Sequence, residues 1–372
     1  MTRKHDNPSA ATISPLFNPL IASHIPPDAP HVERTPEVDR AAFADPEKKA
    51  LLSACSKVDN LTGSIGTELH GIQLKDLTPQ QKDELALLVA ERGVVFFRDQ
   101  DLPVEQQVEF FEHYGTLDTH PAQKDTKFVE IHENTFDHRD ALRRHPWPLA
   151  AFHADTSFEL NPPSYTMLFM REAPETDGDT VWTSQYGTYD ALSPAMKKIA
   201  SELHAVHSSR YQYETILTLW QGKPRRPPID TVHPLVRSHP VTKLRALNWN
   251  PGFSIWIDEL KKAESDALGK FFTDHINEAA DHQVRWRWTP NSVAFWSNTV
   301  STHRVIPGNY SEPRYGTRTT VFGEKPYLDP ESEGREERRE RLKREKEGGA
   351  AAGEREGAAE KEKEVRTAAV LA

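Results

Sequence analysis

The stretch Tyr165-Thr-Met-Leu-Phe-Met-Arg171 places Tyr165, Met167 and Phe169 in one register and Leu168 and Met170 in the other. Successive side chains of an extended chain point to opposite faces, so this segment reads as a strand buried on both sides. Short runs of similar character surround it. They are 93–98, 128–133, 151–158, 179–184, 235–238, 244–248, 284–288, 292–296, 303–306 and 314–322. Many short strands in one domain imply a sandwich or barrel. Helix signals lie between them. Thr78-Pro-Gln-Gln81 is a capping box with proline at the first helical position, and Gly93 marks the stop. Further helices are expected over 103–114, from Ser193-Pro194 onward, and over 257–279. The predicted fold is therefore mainly β with flanking helices, built on a double-stranded β-helix (jelly-roll) core.

The ends differ from this core. Residues 1–58 are rich in Pro, Ala and Asp without periodicity, which predicts a disordered arm with one short helix near Pro46 to Cys55. From Asp329 to the last residue, 372, acids and bases interleave with Ala and Gly, as in a solvated helix or flexible tail. The domain proper is expected over 59–328.

Composition narrows the function. A formal net charge of −10 gives no general footprint for nucleic acid or membrane surfaces. Cys55 is the single cysteine, which excludes an internal disulfide framework and a cysteine-built zinc or iron–sulfur site. No apolar run approaches the roughly 20 residues of a membrane span, and the opening Met-Thr-Arg-Lys-His leads into prolines rather than a signal core. A cytoplasmic protein, with homo-oligomerisation left open, is the expectation.

His153-Ala-Asp155 and the distant His303 carry the chemistry. Two histidines and one carboxylate on one face of a metal, with other positions open, form the donor set that prepares Fe(II) for O2. On a strand, His153 and Asp155 would project to the same side about 6–7 Å apart. Taken alone, the triplet also fits a surface turn, and His303 a hydrogen-bonded core position. Arg314 and Arg318 sit four apart in a strand pattern, about 13 Å along it, with Gly316 between. Inward arginines call for anions, because guanidinium pairs with carboxylate or sulfonate through charge-assisted hydrogen bonds. Thr180 offers a hydroxyl to one of them. Trp249, Trp256, Trp286 and Trp288 fit core packing better than a cavity lining, and 211–229 has the mixed composition of a lid.

At these residues the chain resembles the taurine dioxygenase family of Fe(II)- and 2-oxoglutarate-dependent oxygenases, especially its fungal-type sulfonate dioxygenase branch. The similarity covers approximately Leu61 to Tyr327. It includes Gly93-Val-Val-Phe-Phe-Arg-Asp-Gln100, Phe152-His-Ala-Asp-Thr-Ser-Phe158, Gly178-Asp-Thr-Val-Trp182, Pro290-Asn-Ser-Val-Ala-Phe-Trp296 and Arg314-Tyr-Gly-Thr-Arg318 with its continuation to Pro326. The resemblance implies that His153, Asp155 and His303 bind iron and that Arg314 with Thr180 clamps the distal carboxylate of 2-oxoglutarate. It implies that Arg318 and His120 meet the substrate's anionic head, although His120 by itself also fits a surface turn.

The implied reaction consumes O2 and 2-oxoglutarate, yields succinate and CO2, and hydroxylates the carbon next to sulfur of an alkylsulfonate, releasing sulfite and an aldehyde. A sulfate ester, an aryloxyacetate or a carboxylated metabolite is the alternative substrate, and a non-catalytic binding protein the alternative class. Three positions depart from the family pattern. Leu149 stands where taurine-specific members place an amide, Gln123 where a tyrosine is expected, and Ser297-Asn298-Thr299 replaces Asp-Asn-Arg. The first two remove the partners of taurine's amine, which favours a plain alkylsulfonate. The third alters the hydrogen bonds around the site and leaves the expected ligands in place.

Overall fold

The computed structural model describes residues 33–35, 37–120, 127–132, 151–218, 226–306, 308, 310 and 312–347. In chain order its strands are β1 Lys57–Asn60, β2 Thr67–His70, β3 Val94–Phe97, β4 Val129–His132, β5 Pro163–Glu172, β6 Thr180–Ser184, β7 His204–Ser208 and β8 Asp230–Pro234. They continue with β9 Val236–Ser238, β10 Arg245–Leu247, β11 Ser254–Ile257, β12 Gln283–Trp286, β13 Ser292–Ser297, β14 Ser301–Val305 and β15 Tyr315–Phe322. The α-helices before residue 333 are α1 Lys49–Ala54, α2 Pro79–Arg92, α3 Val104–Glu112, α4 Gln185–Asp190, α5 Pro194–Ser201, α6 Arg210–Thr218 and α7 Lys262–Asn277.

A seven-stranded sheet in the order β1-β2-β3-β13-β5-β15-β4 forms one wall, antiparallel except for the β2–β3 pair. A three-stranded sheet, β12-β6-β14, forms the facing wall. Strand β5 is central and buried on both sides, as its two apolar registers require. Tyr165, Met167 and Phe169 pack with α2, α3 and the outward residues of β3 and β13. Leu168 and Met170 enter the interior with Trp182, Trp286, Trp288 and Trp296. This is the expected mainly β jelly-roll with flanking helices, and the tryptophans 286 and 288 are core residues. Two small sheets, β11-β7-β8 and β10-β9, complete the described β structure.

Several expectations need correction. The segment 151–158 is not a strand. His153 makes one reciprocal backbone bridge with His303, at 2.9 and 2.8 Å, and the chain then turns with Thr156 at φ 37°. The turn is held from β7 and β8. Ser157 pairs with His207, the Phe158 carbonyl accepts from Thr231, and the Glu159 carbonyl accepts from His233. The helix expected from 257 starts only at Lys262, because Ile257 pairs with Ala205 in the sheet. Strands β1, β2, β7, β8 and β11 were not anticipated; β7 reads His-Ala-Val-His-Ser, which lacks an apolar alternation.

The arm expected over 1–58 does not extend that far among the described residues. Ala41 and Leu51 are buried against α2, Tyr165 donates its hydroxyl hydrogen to Asp39, and the Leu51 N–H donates to Glu84. Long-range polar pairings anchor this segment, so no local periodicity announces it. At the other end, residues 329–332 still bond to β9 and β10 through Ser238 and Arg245. The chain divides there into Met1–Ser332 and Glu333–Ala372. Within the second unit, residues 335–347 are helical, with i, i+4 ion pairs such as Arg341–Glu345. No helix among the described residues is long and apolar enough to cross a membrane.

Candidate active site

The bridge between His153 and His303 joins the turn after Phe152 to β14 and brings the two imidazoles together, with ring centroids 4.4 Å apart and the ring planes inclined at 47°. Asp155, two residues on, completes a cluster. One ligand atom from each of the three lies within 4.8 Å of the others. The strand geometry expected for His153 and Asp155 is thus replaced by a bridge and a turn, yet the residues meet.

Each imidazole has a defined orientation. His153 Nδ1 lies 2.9 Å from the Ala151 carbonyl, so it carries the hydrogen and Nε2 is left for a ligand. His303 presents Nε2 3.9 Å from Asp155 Oδ1 and is boxed in by Trp296 and Trp182. Burial, the charge of His153 and that of Arg318 push His303 down to about 3, with Asp155 opposing. Burial likewise lowers His153. Burial raises the Asp155 carboxyl, but the positive charges of Arg318 and the two histidines, with the Thr166 hydroxyl, outweigh it and hold the group at about 2. Neutral imidazoles and an ionised carboxylate are the protonation states a divalent cation requires, and two nitrogens with one oxygen suit Fe(II). The residues fit the metal.

A ring of buried hydrogen bonds fixes Asp155. Its N–H donates to Asn298 Oδ1 (3.0 Å), Asn298 Nδ2 donates to Thr166 Oγ1 (2.8 Å), and Thr166 donates to Asp155 Oδ2 (2.8 Å). The adjoining Ala154 N–H donates to Asn250 Oδ1, and Gly252 comes so near that an added Cβ would stand 3.2 Å from His153 Cβ. Thr166 and Asn250 were missed in the sequence. Asn298 stood within the Ser-Asn-Thr departure, which leaves this amide available.

Arg314 and Arg318 both turn inward, from the start of β15 and from its middle. Arg314 is 1% exposed and donates from Nε to the Gly178 carbonyl. Gly178, at φ +68°, lies so close that a Cβ would meet Arg314 Cδ at 3.0 Å, so both conformation and space require glycine there. Thr180 lies two residues on and accepts a hydrogen bond from Trp288 Nε1. Because the indole can only donate, the Thr180 hydroxyl keeps its own hydrogen for another acceptor. Trp288 thus orients Thr180 as well as filling the core.

Arg318 Nη1 reaches Asp155 Oδ1 at 2.9 Å. His120 is also brought here. It is buried, and its basicity is pushed down to about 3 by burial and by Arg318 and Arg226, with Asp155 opposing. Arg226 ties the neighbouring backbone down, contacting Asp118 (3.4 Å), the Thr119 carbonyl (3.1 Å) and Glu159 (3.3 Å). Of the seven residues singled out in the sequence, His120, Asp155, Thr180, His303 and Arg314 are buried and His153 and Arg318 half-buried, whereas Leu149, Gln123 and 219–225 of the lid segment lie outside the described residues.

A family model described as "Taurine catabolism dioxygenase TauD, TfdA family" matches residues 57–320. The chain belongs to this family. It is an oxidoreductase, a 2-oxoglutarate-dependent dioxygenase that uses Fe(II) and O2. An alpha-ketoglutarate-dependent sulfonate dioxygenase of Saccharomyces cerevisiae is 37% identical over 283 residues, spanning 73% of this chain and 68% of that one. An alpha-ketoglutarate-dependent sulfate ester dioxygenase of Pseudomonas putida is 29% identical over 290 residues, covering 72% of this chain and 90% of the other. Among solved structures, a taurine dioxygenase from Burkholderia xenovorans superposes with a TM-score of 0.61 at 29% identity, covering 74% of this chain and 93% of that one.

Proposed function

We propose that this dioxygenase hydroxylates the carbon next to sulfur of an alkylsulfonate, so that the product collapses to sulfite and an aldehyde while 2-oxoglutarate becomes succinate and CO2. His153, Asp155 and His303 hold the iron in this reading. Arg314 and Thr180 receive the distal carboxylate of 2-oxoglutarate, and Arg318 with neutral His120 receives the sulfonate. The observation that carries it is the Arg318 guanidinium set against the His153–Asp155–His303 cluster, in a chain whose yeast relative is a sulfonate dioxygenase.

The iron, when bound, supplies O2 activation and C–H oxidation. The chain's residues supply position. Arg314, fixed at Nε by the Gly178 carbonyl, supplies the guanidinium that pairs with a carboxylate beside the Thr180 hydroxyl. Arg318 fixes the anionic head, and orientation then selects the C–H bond that reacts. A buried neutral His120 donates one hydrogen bond without adding charge. Leucine at position 149, where taurine-specific members place an amide, has no polar group for an ammonium, which favours a plain alkylsulfonate over taurine. The protein is proposed to act in the cytoplasm.

Turnover of a panel tests the reading: a linear alkylsulfonate, taurine, an alkyl sulfate ester and an aryloxyacetate, each with Fe(II) and 2-oxoglutarate. Sulfite release fastest from the linear alkylsulfonate is expected. Faster turnover of the sulfate ester, the substrate class in the name of the Pseudomonas putida relative, or of taurine, overturns the substrate assignment while leaving the dioxygenase chemistry intact.

A further inference from the structure

The donor and acceptor directions in the ring around Asp155 are all determined. Asn298 Oδ1 faces two groups that can only donate, the Asp155 N–H at 3.0 Å and Trp296 Nε1 at 3.2 Å. Its amide therefore cannot be reversed, and Nδ2 must donate to Thr166 Oγ1. A hydroxyl has one hydrogen. Having accepted from Asn298, Thr166 directs that hydrogen to Asp155 Oδ2, and an ionised carboxylate can only accept it. Thr166 is fully buried, and Asn298 and Asp155 are each 5% exposed, so water does not compete for these bonds.

The two carboxylate oxygens thereby become unlike. Oδ2 is engaged by Thr166, whereas Oδ1 faces His303 Nε2 and Arg318. We infer that Thr166 and Asn298 are positioning residues that make Asp155 a one-oxygen ligand. The inference rests on the reading of His153, Asp155 and His303 as the metal ligands. A carboxylate that bound through both oxygens would take up a position that the keto acid or O2 needs. Thr166 has this reach because it shares the interior face of β5 with Leu168 and Met170, directly opposite Thr320 of β15.

Mn(II) titrated calorimetrically into the metal-stripped chain, followed by the absorption spectrum of the Co(II)-loaded chain, tests this. Partners of this kind are worth roughly 10- to 100-fold in metal affinity. Thr166→Val is expected to weaken Mn(II) binding by about that factor and to change the Co(II) spectrum, and Thr166→Ser, which keeps the hydroxyl, to restore both. Thr166→Ala serves in place of the valine variant if that does not fold. Parent-like affinity and spectrum in the hydroxyl-free variant overturn the inference, as does a serine variant that behaves like valine. Asp155→Ala and His153→Ala run alongside: if these bind Mn(II) normally, the ligand reading itself fails, and if they do not while Thr166→Val does, only the positioning role fails.

Discussion

Arg318 Nη1 lies 2.9 Å from Asp155 Oδ1, the same oxygen that stands 3.9 Å from His303 Nε2. The cation proposed to recognise the substrate and the carboxylate proposed to bind the metal are thus in direct contact, with the Arg318 side chain 16% exposed. Any anion that Arg318 recruits is held within reach of the metal position.

Replacing this guanidinium should separate recognition from metal binding. Arg318→Met is expected to raise KM for an alkylsulfonate roughly 100-fold or more, since loss of a buried charged partner costs about 3–5 kcal/mol. Mn(II) affinity and the slow substrate-free conversion of 2-oxoglutarate to succinate should persist. Steady-state kinetics with calorimetry checks this; an unchanged sulfonate KM would contradict it.

The cosubstrate clamp should respond to Gly178 before it responds to distant core changes. At φ +68°, with a Cβ position 3.0 Å from Arg314 Cδ, Gly178→Ala adds about 1–2 kcal/mol of backbone cost and displaces Arg314. KM for 2-oxoglutarate is expected to rise roughly ten- to a hundredfold, because small misplacements of a clamping group carry penalties of that order. KM for the sulfonate should change little. Trp288→Phe, which removes the donor to Thr180, should act on the same parameter more weakly.

Asp39 gives stability a defined pH dependence. Burial raises its carboxyl from 3.8 to about 6, against hydrogen bonds from the Ala41 N–H and the Tyr165 hydroxyl, with Glu324 adding to the rise. A raised carboxyl favours the folded state while protonated. Its contribution is therefore complete below the unfolded value and is lost as pH rises through about 6. The penalty above that pH is on the order of 3 kcal/mol. Asp39→Asn is expected to be more stable than the parent at pH 7.5 and to lose that advantage below about pH 4, in urea unfolding at both pH values. An advantage independent of pH would contradict this.

How much of this was legible in the sequence depends on whether a feature is local. Strand β5 was readable because each of its registers carries its own core, Tyr165, Met167 and Phe169 on one side and Leu168 and Met170 on the other. Arg314 and Arg318 were readable because two arginines in one strand pattern need anions. The turn after Asp155 was not, since His207, Thr231 and His233 that hold it come from more than 45 residues away, with Ser157 and His207 separated by 50. Thr166 was missed for another reason. Threonine is an ordinary strand former, and only the closure of β5 against the residues 155 and 298 turns it into a hydrogen-bond donor for the site. Asp39 was hidden in a stretch without periodicity because its partner, Tyr165, is 126 residues away.

The most direct test of the central claim follows succinate and sulfite in one time course, with Fe(II), 2-oxoglutarate, O2 and a linear alkylsulfonate, in the parent chain and in His303→Ala. The account predicts that both products rise in equal amounts in the parent and that neither forms in the variant. Succinate without sulfite would contradict the substrate assignment, and equal product formation by His303→Ala would contradict the site.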